Sequence, residues 1–229
     1  IGSGLVGSEM CIRDRYMIDR QMMDRICPCI STSHIIRAAK IMKMAALALG
    51  REEDAERLQQ DIDRSTAALN AIAWDEKAGY YSYTVYDEDK KACAFLRNEQ
   101  GENMNKGMDG VYPLVAEAVP SNRVERLLGH IKNPNEMWSK SGISAVDMSA
   151  SYYFDDGYWN GNVWMAHQWF FWKTMFDLGE SDFAFDIAKR ALDMWKKETD
   201  FSYYTYECFG IETQRGGWFH NFGGLSAPI

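Results

Sequence analysis

"LALGREEDAERLQQDI" (Leu47–Ile62) and "FDLGESDFAFDIAKRA" (Phe176–Ala191) can be laid one over the other, and that alignment decides the fold. In each, an apolar run stops at Leu-Gly, an acidic turn follows, and a half-apolar helix begins. Upstream of the first turn, Ser33–Leu49 reads "SHIIRAAKIMKMAALAL". Its only charges, Arg37, Lys40 and Lys43, share one narrow stripe, so the spacing predicts a helix buried on nearly every side. Downstream, Glu52–Ile72 carries Ala55, Leu58, Ile62 and Leu69 at helical spacing. Its acids crowd the first turn, where the helix dipole favours them. The second copy repeats the pattern. Val163–Leu178, "VWMAHQWFFWKTMFDL", is again apolar nearly all round. Ser181 is then predicted to cap a helix running to Lys197, with Phe183, Ile187, Ala188, Ala191, Leu192 and Trp195 on one face.

A fully apolar helix paired with a half-apolar one, used twice, predicts αα-hairpins in two layers. The expected fold class is all-α: an α/α toroid built from αα-hairpins and joined by long aromatic loops, which the resemblance given below makes a partial (α/α)6 toroid. A superhelical repeat array is the alternative. The loops are "WDEKAGYYSYTVYDED" (Trp74–Asp89), "SYYFDDGYWNGN" (Ser151–Asn162) and "FSYYTYECFGIETQRGGWFHNFGG" (Phe201–Gly224). No Pro/Ser-rich linker divides residues 16–229, which read as one domain or part of one.

The opening "IGSGLVGSEMCIRDR" (Ile1–Arg15) follows no helical or strand period. Its basic residues come last and its longest apolar run is Met10–Ile12, which excludes a secretory signal. The glycines at 2, 4 and 7 follow no recognisable strand, so a phosphate loop has no context. Leu5–Asp14 resembles the translation of a transposase sequencing adapter. Residues 1–15 are therefore expected to be non-native and unstructured, fused to an interrupted reading frame from Tyr16 onward.

Composition narrows the partners. The net charge of −8, with both signs interspersed, argues against nucleic acid or an anionic membrane surface. No window approaches the roughly 18 uninterrupted apolar residues of a membrane span. Cys27, Cys29, Cys93 and Cys208 form no paired C-x-x-C array, and reduced thiols in a reducing, cytoplasmic compartment are the expected state. The histidines at 34, 130, 167 and 220 show no ligand spacing, so neither a metal nor a cofactor is implied. Oligomeric state is not legible in the sequence.

A carbohydrate is the partner the loops suit. Tyr158, Trp159 and Trp164 bracket Asn160, Gly161 and Asn162, and Trp218 follows a glycine pair. Flat aromatic faces beside hydrogen-bonding groups match the two sides of a pyranose ring, although the same tryptophans could simply pack helix ends. Cleaving a glycosidic bond by the common route takes two carboxyl groups. The loop candidates are Asp109, Asp155, Asp156, Glu207 and Glu212. Glu207 stands out among Tyr203, Tyr204, Tyr206 and Phe209, an apolar setting suited to acid–base work.

"YWNGNVWMAHQWFFW" (Tyr158–Trp172), the Leu-Gly hairpin, "YECFG" (Tyr206–Gly210) and "GGWFHNFGGLS" (Gly216–Ser226) together resemble the catalytic domain of glycoside hydrolase family 63 and its trehalase-like relatives. "SHIIRAAKIM" (Ser33–Met42) and "GMDGVYPLVA" (Gly107–Ala116) are also similar to segments of that domain. The resemblance implies an inverting, exo-acting glycoside hydrolase of α-glucosidase or mannosylglycerate-hydrolase type. It implies Glu207 as general base and Trp159 and Trp164 as substrate contacts; Asn160, Tyr112 and Trp218 are expected beside them at the substrate. Asn160 stands where the family usually has arginine. The family's acidic loop would fall just upstream of Tyr16, so the general acid is expected to be missing. Asp109 sits in a superficially similar "GMDG" at a different place in the domain, and Asp19 and Asp24 lack the glycine context. A sugar epimerase of the same architecture would need paired histidines, which are sparse here. A non-catalytic helical-repeat module would scatter Glu207, Trp159, Trp164 and Trp218 over separate faces.

Overall fold

The computed structural model describes residues 12–155 and 157–220. Residues 1–11 of the suspected adapter, Asp156 and the last nine residues lie outside the described part. Where description begins, Ile12–Asp19 is helical (α1), so the expectation of an unstructured start fails for the backbone of residues 12–15. The chain divides into two compact units, Met22–Leu127 and a second made of Ile1–Gln21 with Leu128–Ile229. Each holds one of the two aligned hairpins.

In the Met22–Leu127 unit, β1 (Ile26–Cys27) leads into α2 (Cys29–Ala48) and α3 (Glu52–Ile72), which pack together as the first hairpin. A two-stranded ribbon follows, β2 (Trp74–Asp75) with β3 (Tyr80–Tyr81). Next come β4 (Thr84–Tyr86) and β5 (Ala92–Phe95), which with β1 form an antiparallel sheet of order β1-β4-β5. The unit closes with α4 (Met108–Val111) and most of α5 (Ser121–Lys132). In the other unit, β6 (Trp138–Ser139) pairs with β7 (Gly142–Ile143), and α6 (Met165–Asp177) packs on α7 (Ser181–Ser202). The unit ends in a ribbon of β8 (Tyr206–Phe209) and β9 (Gly216–His220).

The Leu-Gly turns are the same structure twice. Arg51 N–H donates to Ala46 O at 2.9 Å and Gly50 N–H to Leu47 O at 3.1 Å; Glu180 N–H donates to Met175 O at 2.9 Å and Gly179 N–H to Phe176 O at 3.1 Å. The bond spanning five residues marks a Schellman-type end, which needs a left-handed residue. Gly50 and Gly179 supply it with φ of 67° and 80°. A Cβ at Gly179 would meet nothing within 4 Å, so only the backbone conformation opposes a side chain there. Gly179→Ala is expected to destabilise the Leu128–Ile229 unit by about 1–2 kcal/mol, read as a lower midpoint in urea with an unchanged slope.

Three expectations change. The helix after the second turn is preceded by Glu180 as its N-cap, with no side-chain cap bond, and Ser181 is its first residue. The structure is also not all-α: the aromatic loops fold into short strands, because runs such as "YYSYTVY" favour a pleated, half-buried surface. Finally, α2 is not buried on nearly every side. Cys29, Ser33, Ile36, Ala39 and Ala46 are buried, while Ile35, Ile41, Met42, Met44 and Leu47 are exposed. Its packing against α3, α4 and the Tyr112–Leu114 turn covers only part of its circumference. In α6, Phe171 and Met175 are buried and Phe176 is exposed. Among the described residues, no helix is long and apolar enough to cross a membrane.

Candidate active site

The site is built where three segments of one unit meet: the Ser151–Asn162 loop, the entry to α6, and the β8–β9 ribbon. Val163 N–H donates to Phe209 O at 2.8 Å and Phe209 N–H returns to Val163 O at 2.9 Å. This bridge fixes the residue next to Trp164 against the strand that carries Glu207. Val163, Met165, Ala191, Met194, Phe209 and Ile211 form the core beneath it. Glu198 of α7 anchors the far side of the ribbon. Its buried carboxylate accepts the Gly216 N–H at 2.9 Å and pairs with Arg215 at 3.0 Å.

The ribbon is irregular at Glu207. Tyr206 pairs with His220 and Cys208 with Gly217, so Trp218 and Phe219 together oppose the single Glu207. That is a β-bulge, which re-aims side chains and often lies beside a functional site. Trp218 absorbs the extra residue with φ of 65°, a left-handed conformation that costs a non-glycine residue energy. The loop opposite is folded back on itself by Phe154 N–H to Asn160 O at 3.0 Å and Asn162 N–H to Gly157 O at 2.9 Å. Gly161 makes this possible, since a Cβ there would lie 1.9 Å from the Phe154 carbonyl oxygen.

Tyr158 is the hub. Its ring packs on Trp164 at 4.8 Å, Trp218 at 4.6 Å and Trp159 at 5.7 Å. Its carbonyl accepts the Trp164 indole N–H at 2.9 Å, and its hydroxyl donates to Glu207 Oε1. Trp159 and Trp164 stack flat on one another at 3.7 Å. Glu207 is 6% exposed, and its Oε2 is buried with no hydrogen-bond partner among the described residues. Buried carboxylate oxygens are normally satisfied, so an orphan is informative. Asp75, in the ribbon that follows the other hairpin, shows the ordinary outcome. Its Oδ1 accepts the N–H groups of Lys77 and Ala78, and its Oδ2 accepts Arg97 and Asn103.

Glu207, Trp159, Trp164 and Trp218 thus meet around one residue that the spacing had shown only as a neighbour. Their roles separate by exposure. Trp164 at 1% and Asn160 at 7% are in the wall, Asn160 donating to Tyr152 O at 3.1 Å, while Trp218 at 48% is open. Trp159 is half-buried. Of the other carboxylates, Asp155 accepts the Tyr153 hydroxyl at 3.1 Å and Glu212 pairs with Lys140 at 2.5 Å on the surface. Gln168 is buried and holds both the N–H and the C=O of Ile143 at 2.8 Å, a packing role.

Tyr112 and Asp109 belong to the Met22–Leu127 unit. Tyr112 is buried, meets the His34 ring in a tilted contact at 4.8 Å, and its phenol is pushed up to about 12, chiefly by burial. Asp109 accepts the Tyr83 hydroxyl at 2.6 Å. Burial holds His34 below the ordinary histidine range. Asp19 is exposed and pairs with Arg15; Asp24 is exposed.

Among the described residues, one group has the donor types of a cation site: His130, Glu136 and Asp147, whose ligand atoms lie within 4.8 Å of one another. Sequence spacing concealed it because a loop separates the three. Hydrogen bonds already engage it. His130 Nδ1 meets Glu136 Oε2 at 2.5 Å, and Asp147 Oδ1 accepts the backbone N–H and hydroxyl of Ser149 at 2.8 and 2.7 Å. The cluster ties α5 and the stretch before β6 to the segment that follows β7.

Three comparisons bear on this arrangement. The model of the mannosylglycerate hydrolase MGH1-like glycoside hydrolase domain matches residues 11–220. A probable mannosyl-oligosaccharide glucosidase of Schizosaccharomyces pombe is 29% identical over 123 residues, 51% of this chain and 14% of that protein. Among solved structures, the GH63 mannosylglycerate hydrolase from Thermus thermophilus in complex with glucose is similar with a TM-score of 0.71 at 21% identity, over 94% of this chain and 48% of that one. Neutral trehalase Nth1 from Saccharomyces cerevisiae is similar with a TM-score of 0.70 at 13% identity, over 96% and 39%. These likenesses show a shared helical fold, and the chain spans less than half the length of each of these relatives.

Proposed function

Because this chain belongs to the MGH1-like glycoside hydrolase family, we propose that it forms part of an inverting, exo-acting glycosidase in which Glu207 is the general base. The substrate is an α-glucoside or mannosylglycerate, by extension from the relatives named above, and the fold is part of an (α/α)6 toroid. The observation that carries the reading is the orphaned, buried Oε2 of Glu207 inside an aromatic cluster. A carboxylate oxygen with no other partner is available to take the proton of a water as that water attacks the anomeric carbon. Trp218, open to solvent beside Tyr158, is the aromatic face offered to the sugar, and Trp159 is a second.

Among the described carboxylates of this cluster, Asp155 and Glu212 are engaged by Tyr153 and Lys140, so neither is assigned as the acid that protonates the leaving oxygen. Inversion requires a gap of about 6.5–9.5 Å between the two carboxyl groups, enough to seat the water. The test is stereochemical. Proton NMR of α-glucoside hydrolysis by the full-length protein is expected to show the β-anomer first, before mutarotation. First appearance of the α-anomer would overturn the inverting mechanism.

A further inference from the structure

We propose that Tyr158 positions Glu207 for catalysis, its hydroxyl holding Oε1 so that Oε2 is the oxygen offered to the reacting water. The inference rests on the assignment of Glu207 as base and deepens it. The final torsion of a glutamate side chain is broad and nearly two-fold, so an unrestrained carboxylate interchanges its oxygens. Here a single donor removes that freedom, and the donor is itself immobilised. Its ring lies against Trp159, Trp164 and Trp218 at 5.7, 4.8 and 4.6 Å, and its carbonyl is tied to the Trp164 indole at 2.9 Å.

Chemistry favours a tyrosine in this place. Burial first, then the hydrogen bond and charge of Glu207, raise the Tyr158 phenol far above its ordinary value. It therefore stays protonated, and donating, throughout the neutral range. A neutral donor on a carboxylate makes a strong bond of fixed direction. Unlike a lysine or arginine, it brings no positive charge that would blunt the base. Tyr158 acts through Glu207, as a positioning residue.

Tyr158→Phe in the full-length protein keeps the ring and its three tryptophan contacts and removes only the hydroxyl. With a 4-nitrophenyl α-glucoside as probe, kcat is expected to fall about ten- to a hundredfold, the range for losing a hydrogen bond to a charged group. KM should stay within about twofold, because the loss falls on the reacting state. Proton NMR supplies a readout independent of turnover. A low-field hydroxyl proton, slowed in exchange by its hydrogen bond to the buried Glu207, should be present in the parent, absent in Tyr158→Phe and shifted in Glu207→Gln. Should the phenylalanine variant misfold, 3-fluorotyrosine at position 158 preserves the packing and must move the low-field proton. An unchanged kcat in a folded Tyr158→Phe, an effect on KM alone, or survival of the low-field proton in that variant would overturn the positioning role. An active Glu207→Gln would instead overturn the base assignment itself.

Discussion

Glu207→Gln in the full-length protein is expected to lower kcat by about a thousandfold, within the range of 10²–10⁴ that general base catalysis supplies. Glutamine has nearly the shape of glutamate and can still meet the Tyr158 hydroxyl with its carbonyl oxygen. Its other terminal atom is an amide nitrogen, which cannot accept a proton from water. The change therefore replaces Oε2, the carboxylate oxygen without a partner among the described residues, with a group of the wrong chemistry. Because the side chain is buried and the substitution near-isosteric, the thermal midpoint should stay close to that of the parent, and so should affinity for a non-hydrolysable glycoside. Steady-state kinetics beside a melting curve checks both. Turnover within tenfold of the parent would remove Glu207 from the mechanism.

Trp164→Ala should act on stability first. Trp164 is 1% exposed, stacked on Trp159 at 3.7 Å, and donates its indole N–H to Tyr158 O at 2.9 Å. Emptying such a site costs about 3–5 kcal/mol, through lost burial and the cavity left behind. Against a typical domain stability of roughly 5–15 kcal/mol, that is enough to leave the unit marginal. Chemical denaturation should show the midpoint falling by a large fraction. Trp218→Ala makes the contrasting case. Nearly half of Trp218 is exposed, so its removal should cost stability little and appear as weaker sugar binding. If the two substitutions had equal effects on unfolding, the division between wall and open face would be wrong.

The helical hairpins were legible because each signal was local. The Ala55, Leu58, Ile62, Leu69 spacing marked α3 to the residue, and the two Leu-Gly turns gave matching left-handed glycines at 50 and 179. The aromatic loops were less legible. Short strands such as β2 and β8 depend on partners across the chain, and two to four residues carry no usable period. The burial of α2 was overestimated for a related reason. An apolar circumference states what a helix could bury, whereas the neighbours decide what it does bury. Glu207 was singled out from its aromatic surroundings, yet Tyr158, the residue that binds it, is 49 positions away and looked like one more aromatic. A bulge pairing one residue with two has no sequence signature beyond the glycines at 216 and 217.

By itself, then, the sequence determined the repeated hairpin, the resemblance to family 63 and the choice of Glu207, since all three are written in neighbouring residues. Only the tertiary structure decided which oxygen of Glu207 is held and which is left over, and which tryptophans are wall and which are open. Those are properties of contacts between segments distant in the chain. A hydrogen bond from residue 158 to residue 207 exists only once the Val163–Phe209 bridge has brought their backbones together.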